Sequence, residues 1–146
     1  MKLRLIREDE VVKASEIIAR AFSNKTYKIK AQKEIEAMFL NHAVKPKYLV
    51  AEEKGEILGL AGFSQSWMDW GIYEIFWVAV DTPYQRQGVG KTLVAEVVRM
   101  IKKQKGACLI LLTTKHSAFY QKILGFKIFI KKPEKDSYLM QLEIKK

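Results

Sequence analysis

With 146 residues, 49% of them hydrophobic and 29% charged, the chain has the composition of a folded domain with a core, which sets aside a disordered polypeptide. Its 26 basic residues against 16 acidic ones give a net charge of +10, which favours an anionic partner: nucleic acid, an acidic surface or a phosphorylated small molecule. The single cysteine excludes an intrachain disulfide, and no apolar run approaches the roughly 20 residues of a membrane-spanning helix. The first residues, MKLRLIREDE, lack the apolar stretch of a secretory signal, so a cytoplasmic protein without membrane association is expected.

Residues 2–7 alternate apolar and basic side chains, as a half-buried strand does. Residues 11–22 place Val11, Val12, Ile17, Ile18 and Phe22 at helical spacing, and residues 32–40 repeat the pattern with Ile35, Met38 and Phe39. Residues 48–53 and 57–66 flank Lys54-Gly55 and read as a hairpin. Residues 73–80 form an aromatic and β-branched strand, stopped by Asp81-Thr82-Pro83. From 88 to 104 the stripe Val89, Leu93, Val97, Ile101 defines an amphipathic helix. A buried strand at 108–113, with Cys108 as a small hydrophobe, a short helix at 118–124, and strands at 127–130 and 138–144 complete the chain.

The order β-α-α-β-β-β-α-β-α-β-β is of the α/β class with α+β character: a mixed, mostly antiparallel sheet flanked by about four helices. No repeat, low-complexity tract or linker interrupts it, so residues 1–146 read as one domain. The lysine excess is spread along the chain and dense after residue 101, without a compact arginine block. Solvated lysine faces account for it more simply than a nucleic-acid interface.

The stretch QRQGVGKT, residues 85–92, ends in a Gly-Lys-Thr that invites comparison with the phosphate loop of nucleotide hydrolases. That loop requires a glycine five positions before Gly90, and Gln85 stands there. No metal-holding aspartate follows on a later strand either, and no metal is expected. A phosphate site of another kind remains. The helix that starts here offers unpaired amides and a positive dipole end, Gly88 and Gly90 allow close approach, and Arg86 and Lys91 add charge. A pyrophosphate suits such a cradle.

The hexapeptide Gln85-Arg86-Gln87-Gly88-Val89-Gly90 resembles the Gln/Arg-x-x-Gly-x-Gly/Ala signature of the GNAT superfamily of acetyl-CoA-dependent N-acetyltransferases. The Val-Asp-x-x-Tyr-Gln lead-in, the following helix, the strand at 109–113 and Phe119-Tyr120 with Leu124-Gly125-Phe126 fall in the same order as in that family. The resemblance implies a GNAT-like fold and acetyl-CoA as co-substrate, its pyrophosphate on the amides of Gln85, Arg86, Gln87, Gly88, Val89, Gly90 and Lys91, with Thr92 as a further cofactor-binding residue. Val78, Ala79 and Val80 would run beside the pantetheine arm.

Acetyl transfer to an amine needs a base, support for the carbonyl oxygen and a proton for the departing thiolate. An alkyl ammonium with a pKa of about 10 must lose its proton before attack. The resemblance implies Glu74 as base, the only acid in its strand. Strand alternation puts Glu74 on one face with Phe76, Val78 and Val80. The same resemblance implies the Val78 amide as oxyanion support and Tyr120 as acid. Four residues separate Tyr120 from Gly125, one more than in the family's pattern, which turns the tyrosine by about 100° if the insertion lies within the helix.

For the acceptor, an aromatic wall of Trp67, Trp70, Tyr73 and Trp77 with Asp69 could receive a cationic amine, Trp67 and Trp70 being the better candidates and Trp77 a core residue. Tyr27 belongs to the variable segment that shapes the acceptor site in the family. His116, on the loop after the strand at 108–113, is a candidate acceptor ligand or base; His42 has less claim. A small-molecule or protein amine is the expected acceptor. Homodimer formation through the strands at 127–130 and 138–144 is a natural route. Two other readings are a CoA-binding sensor without catalysis and a basic nucleic-acid binder.

Overall fold

The computed structural model describes residues 1–133 and 136–145. In chain order these build β1 (Lys2–Leu5), α1 (Val11–Ala21), α2 (Tyr27–Glu36), β2 (Lys47–Glu53), β3 (Glu56–Gln65), β4 (Ile72–Val80), α3 (Val89–Lys102), β5 (Leu109–Thr114), α4 (Ser117–Leu124), β6 (Lys127–Lys132) and β7 (Ser137–Glu143). The seven strands form one sheet in the spatial order β1-β2-β3-β4-β5-β7-β6. Only β4 and β5 run parallel; the other neighbouring pairs are antiparallel. This is the mixed, mostly antiparallel sheet with four helices that the residue pattern calls for.

Period-two alternation sorts the core into two layers. On β2, Tyr48 and Val50 face α1 and α2, where they meet Ile17, Ile18, Ala31 and Ile35. Leu49 and Ala51 face α3 and pack with Leu93, Val97 and Ile101. The β2–β3 hairpin closes through Lys54 and Gly55, both at positive φ (51° and 80°), the backbone of a two-residue turn whose twist matches the strands.

Two expectations from the sequence shift. The second helix starts at Tyr27, not near residue 32, because Asn24 begins it: its side chain accepts from the Thr26 amide at 3.0 Å and its carbonyl from the Tyr27 amide at 3.1 Å. Only Ala31 and Ile35 are buried on that helix, so its apolar stripe is too thin to read as periodicity. Cys108 is exposed rather than buried; it precedes β5, and its thiol donates to the Gly71 carbonyl at 3.3 Å.

Candidate active site

Two departures from regular pairing on β4 shape the centre of the sheet. The first is a bulge. Leu60 pairs with Ala79 and Gly62 with Phe76, so Trp77 and Val78 together oppose the single residue Ala61. Trp77 takes up the extra length in the left-handed region, at φ 49°. An inserted residue reverses the facing of everything after it. Glu74 and Phe76 therefore face the α2 side, whereas Val78 and Val80 pack against the α3 layer. The expectation that all four share a face is corrected: uninterrupted alternation does not survive the bulge.

The second departure is a fork. β4 pairs with β5 only from Ile72↔Leu109 to Glu74↔Leu111. Beyond Glu74, β4 stays with β3 as far as Val80, and β5 stays with β7 as far as Thr114. The parallel strands thus part just where Glu74 ends their ladder, and the bulge at Trp77 and Val78 lies in the opened segment.

The loop from Asp81 to Gly88 follows the free end of β4. Asp81 accepts from the Thr82 amide at 3.0 Å and holds Arg20 at the end of α1 through two bonds of 3.0 Å. That pair raises the Arg20 pKa further above its ordinary value, chiefly by the hydrogen bond to Asp81. The Gln85 amide side chain bends back to the Val80 carbonyl at 3.0 Å, so this residue shapes the loop with its side chain. Arg86 (φ 65°) and Gly88 (φ 83°), on either side of Gln87, are both left-handed, a conformation found in backbone turns that form anion-binding concavities. Gly88 is the residue before α3, whose first amides, Val89, Gly90 and Lys91, have no intrahelical acceptor. Thr92 donates both its amide (3.1 Å) and its hydroxyl (2.9 Å) to the Gly88 carbonyl, and the Gln85 amide donates to the Thr82 carbonyl at 3.5 Å. The amides of these two residues, both expected at the cofactor, are thus taken up by the helix and the loop. A Cβ on Gly90 would lie 3.5 Å from Val80 Cγ2 and 4.0 Å from Phe119 Cζ, so the cradle, the end of β4 and the start of α4 meet there. A backbone concavity rich in amides, bordered by the exposed cations Arg86 and Lys91, fits a pyrophosphate.

Tyr120 is buried on α4, its ring edge-on to Phe119 and Phe126 at 4.9 and 5.8 Å. Burial pushes its phenol up to about 12. The helix runs through Leu124, so the additional residue before Gly125 lies inside it. A regular helix would turn Tyr120 by about 100°, but here the last turn is widened, with bonds spanning five and six residues, and takes up the extra length. The end is closed by Gly125 at φ 72°, with the Gly125 and Phe126 amides both donating to the Tyr120 carbonyl.

On the opposite side of the sheet, below α2, lies a cleft of about 370 Å³ lined by Glu34, Tyr48, Trp67, Glu74 and Phe76, among others. The aromatic residues expected as one wall divide. Trp67 lines this cleft, and Trp70 stands on the same β3–β4 turn outside its lining; both are almost fully exposed. Tyr73 belongs to the α3 layer. Trp77 is half-buried on the α2 side, edge-on to Phe22 and Tyr27 at 5.8 and 5.4 Å, with its indole N–H donated to Glu34 at 3.0 Å. Asp69 is engaged by the Gly71 amide at 2.7 Å and serves the turn. His116 is exposed immediately before α4 and accepts through its carbonyl from Phe119. His42 lies on an exposed loop. Three residues of the region escape a reading of the sequence: Glu34, brought to the cleft by the packing of α2 on the sheet, Tyr48, brought there by strand register, and Asp81, whose hold on Arg20 is long-range.

The profile of the Acetyltransferase (GNAT) family matches residues 12–126, most of the chain. The protein belongs to the GNAT acetyltransferase family. No curated protein matches it significantly by sequence. Among solved structures it is similar to a GNAT-family protein from Desulfovibrio desulfuricans (20% identity, 99% of each chain, TM-score 0.86). It is also similar to aminoglycoside 6'-acetyltransferase type Ii (20% identity, 100% and 99% of the two chains, TM-score 0.78). A third likeness is to the PaiA N-acetyltransferase from Thermoplasma acidophilum, solved with coenzyme A (18% identity, 98% and 99%, TM-score 0.75). At these identities the likenesses speak for the fold.

Proposed function

We propose that this protein is an N-acetyltransferase that moves the acetyl group of acetyl-CoA to a primary amine. The observation that carries the reading is the fork: it opens at Glu74, between a backbone cradle for a pyrophosphate at the end of β4 and a cleft on the α2 face. A fold-level likeness to proteins solved with coenzyme A supports the same donor.

Acetyl-CoA supplies an activated thioester. The unpaired amides of Val89, Gly90 and Lys91 at the start of α3 hold its pyrophosphate end, and Val78 to Val80 lie along the route from that cradle to the fork. Glu74, at the mouth of the cleft, takes the ammonium proton and leaves a free amine to attack. The Val78 amide, re-aimed by the bulge, donates to the carbonyl oxygen as charge gathers there. As the new C–N bond forms and the C–S bond breaks, Tyr120 gives its proton to the sulfur, and the proton shed by the acetylated nitrogen restores the phenol. Its phenol, at about 12, stays protonated across the neutral range.

Thiol release from acetyl-CoA in the presence of a panel of amines tests this reading. Glu74→Gln is expected to lower kcat by roughly 100-fold or more, with the KM for acetyl-CoA unchanged. Full turnover by that variant removes Glu74 as base. No release with any amine removes the enzymatic reading and leaves a protein that binds coenzyme A without turning it over.

A further inference from the structure

Tyr48 has no exposed surface, yet it lines the cleft, and its hydroxyl has no hydrogen-bond partner among the described residues. A buried hydroxyl left without a partner is costly, and a folded protein keeps one where something else engages it. The surrounding sheet is built to hold it there. Tyr48, Gly62 and Phe76 stand side by side across β2, β3 and β4. A Cβ at Gly62 would come within 2.5 Å of the Tyr48 ring and 2.8 Å of the Phe76 ring. The missing side chain therefore lets the two rings meet edge-on at 5.8 Å over the glycine.

Glu34 stands in the same lining, fixed on one oxygen by the Trp77 indole. Its other oxygen faces Lys30 at 3.6 Å in an exposed pair, which an incoming cation can replace at little cost. The field of Glu34 also acts on the Tyr48 phenol, which burial and then this carboxylate raise well above its ordinary value. With Glu74, the cleft thus carries two carboxylates, an unused hydroxyl and aromatic faces.

Building on the acetyltransferase reading, we propose that the acceptor is a small amine with a second cationic group. Glu34 and the Tyr48 hydroxyl hold the second group while the reacting nitrogen stands at Glu74. The experiment compares 1,4-diaminobutane with butylamine in the thiol-release assay, for the wild type, Glu34→Gln and Tyr48→Phe. The wild type is expected to favour the diamine about tenfold or more in kcat/KM, the scale of one charged hydrogen bond. Glu34→Gln keeps an acceptor for the Trp77 N–H and should remove most of that preference. Tyr48→Phe should raise the KM for the diamine about fivefold without changing the KM for acetyl-CoA. Its thermal midpoint should hold or rise, because an unsatisfied buried group is gone. Equal use of both amines overturns the proposal, as does a preference that survives both substitutions, or acetylation confined to peptides. If no amine is turned over, the acetyltransferase reading fails, and calorimetric titration of the two amines still decides the second cation site: equal affinities overturn it.

Discussion

Arg4 is held between two carboxylates. It donates to Glu10 at 2.7 and 2.8 Å and to Glu52 at 2.7 and 3.0 Å, and it ties β1 to β2 and to the turn before α1. The hydrogen bond from Arg4 pulls the Glu10 carboxyl down from 4.5 to about 2. A carboxyl depressed in the folded state stabilises the protein fully above its unfolded value. That stabilisation disappears as pH falls from about 4.5 through about 2. Glu10→Gln should therefore cost about 2 kcal/mol at neutral pH. The gap between wild type and variant should close as the pH is lowered through that window, as followed by urea unfolding at a series of pH values. A constant gap at every pH would mean that charge is not what the contact contributes.

At the scale of elements, the loop before α3 separates two kinds of glycine. Gly88 has open space around it but φ 83°, so a side chain there is strained by its backbone alone. Gly90 has an ordinary backbone and room for a methyl group at van der Waals distance. Gly88→Ala is expected to lose about 1 kcal/mol of stability and to weaken acetyl-CoA binding, whereas Gly90→Ala should fold normally and keep its KM within about threefold. Thermal unfolding and steady-state kinetics of the pair check the contrast. This loop was legible in the sequence because its demands are local: the positions of its glycines and the apolar stripe of α3 are written in consecutive residues. The β4 bulge was not legible. Nothing in the sequence of the strand at 72–80 marks Trp77 as the residue that takes a left-handed backbone, since only the register against β3 reveals the extra residue. Tyr48 and Glu34 escaped for a related reason: one meets the cleft through the order of neighbouring strands and the other through the packing of α2 on the sheet, and both are long-range.

Across the whole molecule, the net charge of +10 would act on the proposed anionic co-substrate over distances beyond any single contact. The KM for acetyl-CoA should rise severalfold when ionic strength goes from about 0.02 to 0.5 M, because screening at high salt shortens the reach of these charges to a few ångströms. A KM indifferent to salt would assign binding to the backbone cradle alone. Element order was readable from hydrophobic periodicity, but spatial order was not. Of the two C-terminal strands expected to pair with a second copy, β7 is internal, between β5 and β6, and only β6 offers a free edge. Ile128, Phe129 and Ile130 are exposed along it. No described helix is long and apolar enough to cross a membrane.

The three tryptophans give the protein a built-in optical signal. Trp67 borders the cleft, and Trp77 is bonded to the carboxylate proposed to hold the acceptor, while Trp70 lies outside that lining and should supply a steady background. Amine binding should then change the intrinsic emission without any added dye. In Trp70→Phe the fractional change should grow, because the unresponsive emitter is removed; a smaller change would show that the signal comes from the turn and not from the cleft.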